Sequence, residues 1–341
     1  MKQRIEYIDA IRGFAILLVV MAHTIAWNYV DWHDVCLFNQ SQSVNYMTGG
    51  AVWQVIYSFH MALFFMVSGY LTGTSLVNAK NLWTRVKSKT IRLLIPYIGT
   101  FFLIYIVRGS YGYWFLLALY EMAVLWLLLS FVLNKINKQQ SFWIDFLVLG
   151  FVYVALRVMT ILIPMACWHI NFGVFIGYYI PFCFGVLMKR HEFIEKIVRT
   201  PLCFSCCLIA FVVLFVCRYW TDYPQIYQIV SKIDFFFSIL ALLACAMIFH
   251  VFMNGINKKV ETIFAYLGKV SMPIYILHNL FTIQIVAIGN YILQQTVVTS
   301  LTLQIVYSFV FSAIAISLSV ILYKILIHSR IVSLLFFGEQ R

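Results

Sequence analysis

Charge is scarce in this chain. Asp, Glu, Lys and Arg make up 11% of its 341 residues, while 63% are hydrophobic and the mean hydropathy is +0.91. No water-soluble domain of this length tolerates such a surface, so that class is excluded. A metal site is not expected either. Of eight cysteines, Cys203, Cys206 and Cys207 open an apolar run, where they read as packing residues. Cys36 and Cys167 fall in expected outer loops, where an oxidising compartment permits a disulfide and the sequence leaves their approach open. There is no internal repeat, no low-complexity linker and no separate soluble domain.

What the chain has instead is apolar runs of membrane-spanning length. They lie near 10–30, 52–73, 92–107, 114–133, 142–163, 172–188, 202–219, 233–253, 271–289 and 302–327. The expected fold is therefore an all-α polytopic membrane helix bundle of about ten spans. It is expected to form one integral membrane domain over residues 1–341, with no fused soluble domain. The first run carries Arg12 and lacks a small-residue cleavage site, so it reads as a retained helix. Short connections hold breakers such as Gly49, Gly50, Pro164, Pro201 and Gly255.

With the N-terminus inside, the inner segments collect most of the lysine and arginine. Arg85, Lys87, Lys89 and Arg92 form the densest group, and the outer segments hold only Arg108, Arg218 and Lys232. Both termini are accordingly expected in the cytoplasm. The net charge of +12 is spread over separate loops, which argues against nucleic acid as a partner and leaves the lipid bilayer.

Polar groups within the spans mark the expected site. In YIDAIRGFAILLVVMAH, Arg12 and His23 are eleven residues apart. That spacing corresponds to roughly 16 Å along a helix and returns within about 20° of one face. His60, Glu121, Arg157 and His278 also fall inside spans, with Asp234 near an outer end. Ionisable groups at such depth face a bundle interior or a wet cavity, or bond neighbouring helices. A single polar layer near the midplane would accommodate them. An unpaired Glu121 would be neutral or would need Arg157 or a histidine beside it. In SMPIYILH, Ser271, Tyr275 and His278 form one stripe, and Pro273 fits the first turn of a helix. In FHMALFFMVSGYL, Ser68 and Gly69 permit close helix approach, and Trp114 takes an aromatic-belt position.

These five segments, in this order, resemble the acyltransferase 3 family. They are YIDAIRGFAILLVVMAH, FHMALFFMVSGYL, the basic stretch ending RLLIPY, YWFLLAL and SMPIYILH. The family consists of integral membrane enzymes that move acyl groups, usually acetyl, from coenzyme A to hydroxyls of extracytoplasmic glycans. FHMALFF and YWFLLAL look most like the sugar O-acetylase branch, fucose-type acetylases included.

The resemblance implies that Arg12 and His23 match the essential first-span pair, and that Lys89 with Arg92 stands where the family has paired arginines. Lysine at 89 is a departure that keeps charge and loses the planar fork. Some relatives add a soluble esterase-like domain after the last span, and none is expected here.

The expected reaction is transfer of an acetyl group from acetyl-CoA to a hydroxyl of a cell-surface or lipid-linked glycan. No tightly bound cofactor is expected, and glycan-assembly proteins are expected partners. His23 is the expected general base, with Arg12 and His278 as further catalytic groups. Ser271, Tyr275, His60 and Glu121 are expected to meet substrate, and Arg85, Lys89 and Arg92 the phosphates of coenzyme A. A transporter or flippase would use the same polar layer, but it would be expected to show repeats or paired broken spans. A dead sensor would be expected to have lost Arg12 or His23.

Overall fold

The structure is a computed structural model that describes residues 5–26, 51–73, 78–108, 114–137, 140–162, 172–219, 236–282 and 285–339. Cys36, Cys167, Asp234 and the outer loop at 31–50 lie outside the described residues. Among the described residues the chain is almost entirely helical, with no strand. In chain order the helices are α1 (Glu6–Ala26), α2 (Ala51–Tyr57), α3 (His60–Gly73), α4 (Ala79–Lys89), α5 (Ile95–Arg108), α6 (Trp114–Ile136), α7 (Phe142–Leu162) and α8 (Phe172–Arg190). They continue with α9 (Glu192–Val198), α10 (Pro201–Tyr219), α11 (Phe236–Met253), α12 (Lys258–Lys269), α13 (Ser271–Leu277), α14 (Val286–Leu293), α15 (Val297–Leu326) and α16 (Arg330–Phe337). A π-turn, Thr90–Leu94, joins α4 to α5, and a 3-10 turn, His278–Leu280, follows α13.

Seven described helical stretches are long and apolar enough to cross a membrane. The all-α polytopic bundle is thus the fold. One expected span departs from a simple helix. The run at 271–289 is interrupted at residues 278–282, and its first part pairs with α12 across a 63° bend. Pro273 explains the break, because it cannot donate to the carbonyl of Lys269 and so cannot continue α12. The stretch that reads as a lysine-bearing inner loop, 254–270, is largely helix α12.

The chain divides into two compact units. The first comprises Met1–Phe64 with Val198–Tyr323, and the second Phe65–Ile197 with Lys324–Arg341.

In the first unit α12 lies directly against α1. A Cβ on Gly13 would stand 1.8 Å from the Phe264 carbonyl oxygen, and one on Gly268 1.8 Å from the Asp9 carbonyl oxygen. The order of these contacts makes the two helices antiparallel, and only glycine lets their backbones approach so closely. Phe14, Phe252 and Phe264 fill the adjoining space, with ring centroids 5.7–6.2 Å apart. Helix α15 turns Ser300, Gln304, Ser308, Ser312 and Ser319 inward, a small-residue face suited to close packing.

In the second unit α3 and α8 make a similar approach. Cβ atoms on Gly69 and Gly185 would meet the carbonyl oxygens of Phe182 and Met66 at 2.0 Å, so Gly69 serves the close contact expected of it.

Candidate active site

The first unit gathers six of the expected residues. His278 Nδ1 lies 3.0 Å from the Ile274 carbonyl oxygen. A carbonyl can only accept, so this nitrogen carries the proton and the neutral ring offers Nε2 as an acceptor. His23 Nδ1 stands 2.6 Å from that Nε2 and therefore donates to it. The remaining nitrogen of His23, Nε2, keeps its lone pair. The two rings stack, with centroids 4.9 Å apart and planes 19° from parallel. His278 is fully buried, whereas His23 is partly exposed. The backbone of α13 thus dictates a tautomer that passes through His278 to His23.

His60 is buried close by, within electrostatic reach of His23. Its Nδ1 lies 2.8 Å from the Ile56 carbonyl oxygen, and its ring packs edge-on against Tyr57 at 4.8 Å. Tyr275 leans toward His278, with ring centroids 6.1 Å apart.

Arg12 ties α1 to the start of α13. Its Nη2 donates to Ser271 Oγ at 3.1 Å, and its Nη1 to Asp9 Oδ1 at 3.4 Å. Asp9 is 7% exposed in its side chain and Arg12 28%, so the pair sits at the edge of the unit with the carboxylate inward. Ser271 and His278 therefore both bond α1, as their shared stripe implies. At the far end of α12, Lys258 bridges Glu6 and Glu261 at 2.9 and 3.1 Å, an exposed ion pair of little energetic weight.

Two residues that the sequence reading missed join this group. Asp9 precedes Arg12 by three residues, a helical pairing distance that marks it as a natural partner. Asn279 hydrogen-bonds with His23. Its only sequence signal is its position next to His278.

The other expected residues belong to the second unit. Arg85 and Lys89 fall on the half-buried side of α4 with Leu82 and Val86, while Trp83 and Lys87 are exposed. The π-turn rotates the exposed Arg92 off the Arg85–Lys89 stripe. Thr90 anchors that turn, donating to the Val86 carbonyl at 3.0 Å and bonding Tyr120 Oη at 3.1 Å. Glu121 follows Tyr120 on α6. Its Oε2 is buried with no hydrogen-bond partner. No ion pair joins Glu121 to Arg157 or to a histidine among the described residues. The same residues include no cluster of three or more metal-ligating side chains.

A family model described as an acyltransferase domain matches residues 5–324. The chain belongs to the acyltransferase 3 family. No curated protein and no solved structure matches it. As a membrane acyltransferase, it moves an acyl group from a donor to an acceptor. The matched interval contains both the histidine chain and the basic stretch, and it ends before α16.

Proposed function

We propose that this acyltransferase moves an acetyl group from acetyl-CoA to a hydroxyl of a cell-surface or lipid-linked glycan, in the inner membrane of a bacterium, with His23 as the general base. The observation that carries the reading is the hydrogen-bonded chain Ile274 carbonyl, His278, His23, which leaves His23 Nε2 unprotonated. A sugar hydroxyl is a weak nucleophile, and a neutral imidazole held in one tautomer is the group that activates it.

In the direct form of the reaction the hydroxyl oxygen attacks the thioester carbonyl carbon while its proton passes to His23 Nε2. The carbon–sulfur bond then breaks, and the imidazolium returns the proton to the leaving thiolate. His278 acts as a positioning residue that also spreads the positive charge on His23, the part played by the third member of a triad. Transfer through a covalent enzyme intermediate would use the same base twice.

Arg85, Lys89 and Arg92 supply the cationic surface for the phosphates of coenzyme A, with arginine offering paired donors and Lys89 a point charge. Arg12, bonded to Asp9 and Ser271, holds α13 in place against α1 and so supports the position of His278. Tyr275, His60 and Glu121 are assigned to the acceptor, since each is a polar group of the spans with hydrogen-bonding capacity.

The reading is tested by incubating membranes with acetyl-labelled coenzyme A, using the unchanged chain and a His23→Ala variant at equal level. Label is expected in a glycan fraction with the unchanged chain alone. Equal transfer by both chains removes His23 from the mechanism.

A further inference from the structure

Helix α16 lies beyond the residues that the family model matches, yet it packs against α5, the helix that continues from the basic stretch. Its start is capped by Ser329, whose side chain accepts from the Val332 N–H at 3.5 Å. Its end is closed by Gly338 in the left-handed conformation, φ 64°, with the Gly338 N–H donating to the Leu334 carbonyl at 3.1 Å. The Glu339 N–H reaches the Ser333 carbonyl at 3.2 Å and completes the turn.

Two glycines set this helix against the rest of the unit. A Cβ on Gly99 of α5 would stand 2.4 Å from the Leu335 carbonyl oxygen. A Cβ on Gly338 would come within 2.6 Å of the Ile91 carbonyl oxygen and 2.7 Å of Arg92 Cα. The end of α16 is therefore in backbone contact with the π-turn at the residue that carries the exposed arginine. Phe337 and Ser333 are buried beneath the same helix, which fixes its rotation.

A π-turn holds one more residue than the helix around it, and relaxing it would turn Arg92 toward a different direction. Thr90 secures its start through Val86 and Tyr120. Gly338 abuts its middle.

We propose that α16 is a positioning element of the donor site. By seating Gly338 against Ile91 and Arg92, it holds the π-turn in the shape that presents Arg92 to the phosphates of a coenzyme A thioester. The inference rests on the donor reading given above for Arg85, Lys89 and Arg92. A ligand that prefers this shape of the turn must in return stabilise the seated form of α16, because coupling between two sites is reciprocal.

Amide hydrogen exchange on the full chain, with and without coenzyme A, tests both statements at once. At ten times the half-saturating concentration, exchange through opening of the liganded form slows about tenfold. That slowing is expected in residues 86–95 and equally in 334–339. Protection of 86–95 alone overturns the role of α16 and leaves the donor reading standing. Protection of neither overturns the donor reading and the inference with it.

A Gly338→Ala variant gives a second measure. It is expected to raise the KM for acetyl-CoA about tenfold with the acceptor KM unmoved. A parallel rise in both constants assigns α16 to general stability and overturns the proposal. If the variant does not fold, the exchange experiment on the unchanged chain decides.

Discussion

Each unit of the molecule contains a histidine held by a short hydrogen bond, and the two arrangements differ in how they end. In the first unit the chain from the Ile274 carbonyl through His278 stops at His23, which is partly exposed and keeps one nitrogen uncommitted by that chain. In the second unit His191 Nε2 lies 3.0 Å from Asp145 Oδ2, which also accepts from Arg190 Nε at 2.6 Å. Asn137 Nδ2 donates to Asp145 Oδ1 at 2.9 Å and to the Ser141 carbonyl at 2.8 Å. Asp145 is wholly buried, with Arg190 and His191 nearly so.

This second network is closed around the carboxylate, because both oxygens of Asp145 meet partners inside the protein. Burial of polar groups thus does not by itself mark a site. The chain in the first unit differs in ending on a side chain that is partly exposed.

The contrast is sharpest at His23. His23→Ala is expected to lower transfer by about 10²–10⁴-fold, the range typical of a lost general base. His278→Ala is expected to lose most of the same factor in kcat, with little change in the KM for acetyl-CoA. The double variant should add little, since the two act as one unit. Full activity in the His278→Ala chain would break the contrast. Asp145→Ala is expected to act differently, costing about 3–5 kcal/mol of stability by leaving Arg190 buried without its carboxylate. Thermal unfolding measures that loss, and the fraction that stays folded is expected to keep its specific activity.

Smaller effects refine the comparison within the first unit. Gly13→Ala and Gly268→Ala each force the α1 and α12 backbones apart, at an expected cost of about 1–3 kcal/mol in unfolding experiments. Activity should fall with it, because α12 leads directly into α13. Ser271→Ala removes one hydrogen bond from the partly exposed Arg12, worth about 1 kcal/mol, and a rate loss of less than tenfold is expected. Lys258→Ala is the weakest, with no measurable change in melting temperature, because its two ion pairs are exposed to solvent. A clear shift there would mean that the end of α12 carries more of the packing than its exposure implies.

Much of this was legible in the residues. Long apolar runs announced the helices, and the spacing of Ser271, Tyr275 and His278 placed them on one stripe that meets α1 through Arg12 and His23. Helix α12 was not legible as a packed helix. Its lysines made it look like a loop, and the clue lay in Gly13 and Gly268, whose importance depends on which backbone faces them. The π-turn was equally hidden, since TIRLL carries no signature that separates one surplus residue from an ordinary helical turn. Nor does the sequence say which compact unit each polar group of the spans joins, with Glu121 in the second and His23, His60 and His278 in the first.

Composition and period alone determined that this chain is a membrane-embedded helical bundle and that its polar residues would be few and costly. Those conclusions follow from transfer free energies and helix geometry, which act residue by residue. Only the tertiary structure decided that His278 points its acceptor at His23, that Arg12 leans on Asp9 and Ser271, and that Gly338 meets Arg92. Each of these depends on atoms far apart in the chain coming within hydrogen-bonding or van der Waals distance, and such distances are set by packing.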